Sequence, residues 1–167
     1  MFEQLELKQS HTNQTDYSHW CYKKYYSTYL TQNAVFMNHD AILLCSLDER
    51  GVQILHDALV YSVEIQVKNF VNHLDIKITF LLECYGLEVT YHAVDAYDLG
   101  FGDGRGHSMD INIHELLYQN EMYEHRILLQ GRPVQALKPL WIKCKSVSCV
   151  KNSMTIAQYL AASKSID

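Results

Sequence analysis

The sequence is poor in the features that mark several large classes of protein. Only two of its 167 residues are proline, and its longest apolar runs fall far short of the roughly 18 to 20 residues that span a bilayer. No basic segment followed by an apolar run, the pattern of a secretory signal, opens the sequence. We therefore expect no membrane partner and a cytoplasmic location.

The cysteines lack the spacing of a metal or redox motif. There are five, an odd number, and no two of them form a CxxC pair. Most stand in apolar or alternating stretches, where a free thiol behaves as a small buried hydrophobe. The pattern predicts reduced thiols rather than a disulfide framework, which agrees with a cytoplasmic location. The five are Cys21, Cys45, Cys84, Cys144 and Cys149.

Positive charge is also scarce. The chain has 14 Lys and Arg against 19 Asp and Glu, giving a formal net charge of -5. A broad nucleic-acid surface needs clustered Lys and Arg, so this balance argues against a nucleic-acid partner. What the sequence does contain is 48% apolar residues and twelve tyrosines, enough for one domain with a real core and many half-buried strand positions.

Alternation of apolar and polar residues dominates from residue 60 onward. In "VYSVEIQVKNF" every second residue is apolar, and "IKITFLLECYGLEVTYHAV" contains two such stretches about Gly86, which predicts an antiparallel hairpin. The segments "MYEHRILLQG" and "PLWIKCKSVSCV" predict further strands. We predict an α+β fold, a single mostly antiparallel, curved sheet with terminal helices, over residues 20–167, preceded by a polar arm at 1–19.

Three segments leave their structure open. "AILLCSLDERGVQIL" is consistent with two short strands around a turn at residues 48–51, or with a helix over 47–59. Residues 20–33 have tyrosines at helical spacing but a composition that also suits a strand. "MDINIHELLYQN" alternates at first and then suits a helix, whereas "MTIAQYLAASK" predicts a final helix.

Four glycines between residues 100 and 106 form the most unusual stretch, "LGFGDGRGHSMD". No Gly-Lys-Ser/Thr follows them, and their spacing does not match the dinucleotide fingerprint, so neither phosphate motif is present. Asp103 and His107 are of types that bind metals, but the acidic positions do not have EF-hand spacing. The favoured interpretation is a connection between strands that uses positive φ angles.

The histidines supply the best polar candidates. His56 and Asp57 are adjacent, and an acid beside an imidazole is the unit of general-base chemistry. No HExxH or G-x-S-x-G motif occurs, so the sequence predicts no catalytic residue, no metal and no cofactor. An alternative polar site is His56, Asp57, Asp103 and His107.

Aromatic residues near the start of the chain predict a surface for another protein. Tyr and Trp combine a large apolar area with a polar group, and they are enriched at interfaces. The alternative is that half of them close over the sheet as core. The candidate binding residues are Trp20, Tyr22, Tyr25, Tyr26 and Tyr29.

One resemblance follows from the order of the alternating segments. "ILHDALVYSVEIQV" is followed by "IKITFLL", "LEVTYHAVDAYDLG", "YEHRILLQG" and "WIKCKSVSC". Over residues 55–150 this order resembles small bacterial β-rich domains of unknown function, some of which are grouped with immunity proteins of toxin systems. The shared features are alternation and the His-Asp dipeptide, so no functional residue is carried over. The resemblance implies binding and blocking a toxin rather than catalysis.

Two functions remain as expectations. The first is a non-catalytic domain that binds another protein, either as an immunity or antitoxin partner or as a homodimer. The alternative is a small metal-dependent or His/Asp-based enzyme with a site near His56, Asp57 and His107. Convergence in one concave pocket of at least three of the five residues listed next would favour the enzyme, whereas an exposed apolar patch of Tyr and Trp would favour binding. The five residues are His56, Asp57, His92, Asp103 and His107.

Overall fold

In the part of the chain that the structure describes, six strands form one antiparallel sheet, in the spatial order β1-β2-β3-β6-β5-β4. The computed structural model describes residues 30–47, 53–68, 73–82, 85–99, 111–129 and 140–153. The sheet-dominated fold predicted from alternation is therefore confirmed. The strands are β1 (Leu59–Lys68), β2 (His73–Leu81), β3 (Gly86–Asp98), β4 (Ile111–Gln119), β5 (Met122–Leu129) and β6 (Leu140–Asn152).

The predicted antiparallel hairpin about Gly86 is confirmed. Phe80 pairs with Leu87 and Ile78 with Val89, so the two apolar sets share one face of the sheet. Gly86 opens β3 opposite Asn152 of β6, and a Cβ atom at this position would collide with the Asn152 side chain. Strand β3 continues to Asp98, beyond the alternating segment, which ends at residue 94.

The main hydrophobic cluster lies on one face of the sheet and has members on all six strands. Cross-strand partners such as Ile76 and Tyr91 are both fully buried. Burying a side chain of this size contributes roughly 1.5–3 kcal/mol. The fully buried large residues are Tyr91, Phe80, Leu44, Leu55, Ile76, Ile78, Leu81, Leu87, Ile111, Leu116, Leu117 and Ile127.

The helices are shorter than the predicted fold class requires. Within the described residues they are α1 (Thr31–Asn33), a 3₁₀ turn at Ala34–Phe36 and α2 (His39–Leu44). No helix in these ranges is long and apolar enough to cross a membrane. Of the segments with predicted helices, residues 154–167 and 20–29 lie outside the described residues, so terminal helices are not confirmed.

Two of the open segments take a form that differs from part of the prediction. The segment from residue 41 is helical, not a strand, because the Asn38 side chain accepts a hydrogen bond from the Ala41 N–H (2.8 Å) and caps α2. After the helix, Leu47 and Gln53 form an isolated antiparallel bridge around residues 48–52, which lie outside the described ranges. Strand β4 shows no helical turn, because its pairing with β5 continues to Gln119.

Two stretches of sheet edge that no strand covers form hydrogen bonds with other parts of the chain. On β4, the Ile111 N–H donates to Ala58 O (2.8 Å) and Ile111 O accepts from the Asp57 N–H (2.9 Å). On the part of β6 that extends past β5, Val147 O accepts from the Asn38 side chain (2.9 Å) and the Cys149 N–H donates to Asp40 (3.0 Å). The segment before β1 and helix α2 thus satisfy edge groups that would otherwise template another strand.

Candidate functional site

A hydrogen-bonded row of three side chains crosses the face of the sheet opposite the core. The His92 ring on β3 joins the Asp75 carboxylate on β2 through Nδ1 (3.0 Å) and the Ser148 hydroxyl on β6 through Nε2 (2.7 Å). The Asp75 side chain is 6% exposed and the His92 side chain 36%. The row therefore runs from a buried acid to a half-buried hydroxyl through a solvent-accessible imidazole.

The backbone of β3 is distorted next to this row. Ala93 has a φ of 50°, a left-handed conformation that costs an ordinary L residue roughly 1–2 kcal/mol. Its N–H donates to the second Asp75 oxygen (3.0 Å), and the β3–β6 register shifts between Val94 and Ala96. Such bulges re-aim side chains and are over-represented beside functional sites. Here the bulge fixes the orientation of the Asp75 carboxylate.

A second polar chain is enclosed in the core. The Tyr91 hydroxyl and His125 Nδ1 are 2.7 Å apart, and His125 Nε2 lies 3.0 Å from His114 Nδ1. The Gln53 amide binds both backbone groups of His114, donating to its O (2.8 Å) and accepting from its N–H (3.2 Å). The last nitrogen of the chain, His114 Nε2, is buried without a partner.

Burial decides the protonation of this buried chain. Desolvation lowers the pKa of His114 to about 3, with a smaller contribution from the nearby His56. Desolvation also lowers the pKa of His125 well below its usual value, and the electrostatic interaction with the neighbouring His114 ring acts in the same direction. The pKa of Tyr91 is raised by burial. All three side chains are neutral at physiological pH, so the chain is a structural element of the core that resists acquiring charge.

The predicted His-Asp pair occupies a turn before β1. Asp57 has a φ of 61°, and its carboxylate lies 3.6 Å from His56 Nε2. Asp103 and His107, the other members of the alternative polar site, lie outside the described residues. His92 lies instead between Asp75 and Ser148. An enzyme site at His56 and Asp57 stays a prediction.

In the ranges that the structure describes, no group of three or more His, Cys, Asp or Glu side chains is placed to hold a metal ion. Cys45, Cys144 and Cys149 form no disulfide. Burial raises the pKa of both Cys144 and Cys149 to about 12, which makes them poor nucleophiles and poor metal ligands. For these three residues the structure agrees with the reduced thiols expected from the sequence.

The outer edge of β1 is the other candidate surface. Within the described ranges β1 pairs with β2 alone. Near its end Ile65 is 48% exposed and Val67 is 75% exposed, although both are on the same face as the core. The predicted interface residues Trp20, Tyr22, Tyr25, Tyr26 and Tyr29 lie outside the described residues, so β1 is a surface that sequence reasoning did not single out.

Comparison of the chain with family models, with curated proteins and with solved structures gives no match.

Proposed function

We propose that the protein binds another protein through the edge of β1, and that this partner is a second copy of the same chain. The observation that carries the proposal is a ten-residue edge strand, Leu59–Lys68, that exposes two β-branched apolar side chains. An edge strand with apolar neighbours adds a further strand readily, because main-chain hydrogen bonds supply affinity and alternate side chains supply fit.

The contrast with the other edges supports this choice. Segment 53–58 covers the first part of the β4 edge, at Ile111 and His114, and side chains of α2 and its cap cover the projecting part of β6. Natural sheets protect edges in this way against unwanted pairing. In the described part of the molecule β1 pairs on one side only, which is the arrangement expected of an edge that is kept for a partner.

The sequence of β1 is complementary to itself in one antiparallel register. Pairing two copies about Gln66 sets Ile65 of one chain opposite Val67 of the other, twice by symmetry. Apolar β-branched pairs across strands contribute roughly 0.2–1 kcal/mol each. The same register sets position 64, a glutamate, opposite position 68, a lysine. An isologous dimer through β1 therefore sets apolar positions opposite each other and an acidic position opposite a basic one.

We expect the wild-type chain to sediment as a dimer and Ile65→Lys and Val67→Lys to sediment as monomers. Each variant places a charge inside the new strand pair, and Lys on an edge strand is a natural barrier to pairing. The dissociation constant rises by at least about tenfold, or 1.4 kcal/mol. Analytical ultracentrifugation over a range of concentrations measures the change.

Val150→Lys is the matched control. Val150 is 60% exposed on β6, three strands away from β1, so the same substitution there leaves the dimer intact. A wild-type chain that is monomeric at every concentration contradicts the homodimer. The immunity-type resemblance of residues 55–150 predicts a toxin as partner instead. A monomer that binds a purified toxin, and loses this binding in Val67→Lys, would show that the β1 edge binds the toxin and not a second copy.

A further inference from the structure

We propose that Asp75, His92 and Ser148 form a nucleophilic site at which the Ser148 hydroxyl accepts the acyl group of a small ester. This activity goes beyond protein binding and uses the opposite face of the sheet. The three residues come from adjacent strands, β2, β3 and β6, and form two consecutive hydrogen bonds of 3.0 and 2.7 Å. An acid, an imidazole and a hydroxyl in this order define a nucleophile with its base and orienting group, whatever the fold.

The direction of each hydrogen bond follows from the chemistry of the groups. An ionised carboxylate only accepts, so His92 Nδ1 carries the proton that it shares with Asp75. In the neutral ring Nε2 is then an acceptor, and the Ser148 hydroxyl must donate to it. The imidazole therefore holds a lone pair directly on the hydroxyl proton, as a general base requires.

The acid is held in place by more than the imidazole. Asp75 is buried at 4% exposure and receives the Ala93 N–H on its second oxygen. The strained φ of Ala93 makes that N–H available, since it points at the carboxylate rather than at a neighbouring strand. Strain of this kind at a polar cluster supports a functional role for the cluster.

The solvent exposure around His92 and Ser148 favours a small, uncharged substrate. Lys77, near this row, contacts Glu64 (3.0 Å) and Glu88 (3.7 Å), which largely offset its charge. His92 reaches solvent with 36% of its side chain. A short acyl ester can approach Ser148 from solvent without a deep cavity, whereas a long acyl chain would remain in water.

The reaction balances with water as the only co-reactant. Ser148 Oγ bonds to the ester carbonyl carbon while His92 Nε2 takes the hydroxyl proton. The carbon–oxygen bond to the alcohol breaks, and the imidazolium gives its proton to the departing alkoxide. Water then attacks the acyl-serine with His92 again as base, and Ser148 Oγ recovers a proton as the carboxylic acid leaves.

Covalent labelling tests the proposal on the full chain. A fluorophosphonate probe loses fluoride to an activated serine, so we expect one adduct by intact mass, mapped to Ser148 by peptide analysis. Ser148→Ala removes the adduct, and His92→Asn slows its formation roughly 100-fold or more because the base is lost. Hydrolysis of p-nitrophenyl acetate should fall by the same factor in both variants.

Ser146→Ala is the control, because Ser146 stands directly opposite His92 in the β3–β6 register but is not the serine hydrogen-bonded to Nε2. It should label at the wild-type rate. Thermal melts show whether each variant is folded. Labelling of Ser148 in the wild-type chain tests the proposal even if a variant fails to fold. Absence of an adduct on wild-type Ser148, or an adduct whose rate His92→Asn leaves unchanged, would overturn the proposal.

Discussion

Between pH 7 and pH 5 the wild-type protein should lose at least about 2 kcal/mol more unfolding free energy than a variant without the buried His114–His125 pair, the contribution of His114 alone, and His125 acts in the same direction. The variant is His114→Leu/His125→Leu/Tyr91→Phe, which replaces all three polar groups of the buried chain together. Replacing hydrogen-bonded partners jointly by apolar groups of similar shape leaves no new unpaired group, so the variant should fold. Urea unfolding at the two pH values measures the difference.

The sign follows from the lowered pKa values. In the folded protein His114, with a pKa of about 3, and His125, well below its usual value, stay neutral at pH 5. In the unfolded chain both take up protons below pH 6.5, and each gives about 1.4 kcal/mol per pH unit in favour of unfolding. Stability from this source is complete above pH 6.5 and is lost as the pH falls toward the folded pKa values.

NMR titration of the two histidine rings tests the same expectation independently. The ring protons of His114 and His125 should show no titration step down to pH 5 in NMR spectra of the wild-type protein, a measurement that does not depend on the variant. A step near pH 6 at either ring, or equal pH dependence in the wild type and the variant, would contradict the burial argument.

The strands were predictable where one face alone is buried. Alternation located β1, β2, β5 and β6, because a half-buried strand must place every second residue in the core. Gly86 marked the hairpin between β2 and β3. Alternation did not identify α2, since the apolar run after residue 41 suits a strand as well as a helix and the deciding contact is the local cap by Asn38.

The candidate sites could not be predicted from local sequence. Asp75 and His92 are 17 positions apart, and Ser148 is a further 56 along the chain, so only the sheet register brings them together. The adjacent pair His56–Asp57 was conspicuous in sequence because proximity along the chain is visible there. A deviation such as the bulge at Ala93 leaves no mark in the sequence, because alanine is not a residue that indicates positive φ.

The burial of two histidines was also not predictable from local sequence. His114 and His125 occupy core-facing positions of β4 and β5, which alternation alone would identify. Their residue type does not predict burial, since histidine is intermediate in its burial. What permits their burial is tertiary: Tyr91 from β3 and the ring-to-ring hydrogen bond.

The substitution Glu115→Gln should stabilise the protein increasingly as the pH rises, by about 2.5 kcal/mol relative to the wild type between pH 5 and pH 8.5. Burial raises the pKa of Glu115 to about 7, although the Arg126 guanidinium opposes the shift. Oε2 of this carboxyl is buried without a hydrogen-bond partner. Urea unfolding of both proteins across this range measures the change.

The raised pKa sets the direction of this effect. Between the unfolded pKa of 4.5 and the folded pKa of about 7, the folded protein holds a proton that the unfolded chain has lost. Wild-type stability from this group is therefore complete below pH 4.5 and declines as the pH rises, since ionising the buried carboxyl is unfavourable. Glutamine has the same shape and no charge, so it is not subject to the decline.

Glu124→Gln is the control on the same face of the sheet. Glu124 is 29% exposed, and one of its oxygens accepts two hydrogen bonds from Arg126, each 3.1 Å. Its removal takes away a satisfied, partly exposed carboxylate, so it should give no comparable gain at high pH. The contrary result is a Glu115→Gln protein whose stability relative to the wild type is the same at pH 5 and pH 8.5. It would show that Glu115 ionises as a solvated carboxyl does, and that water reaches its side chain on this face of the sheet.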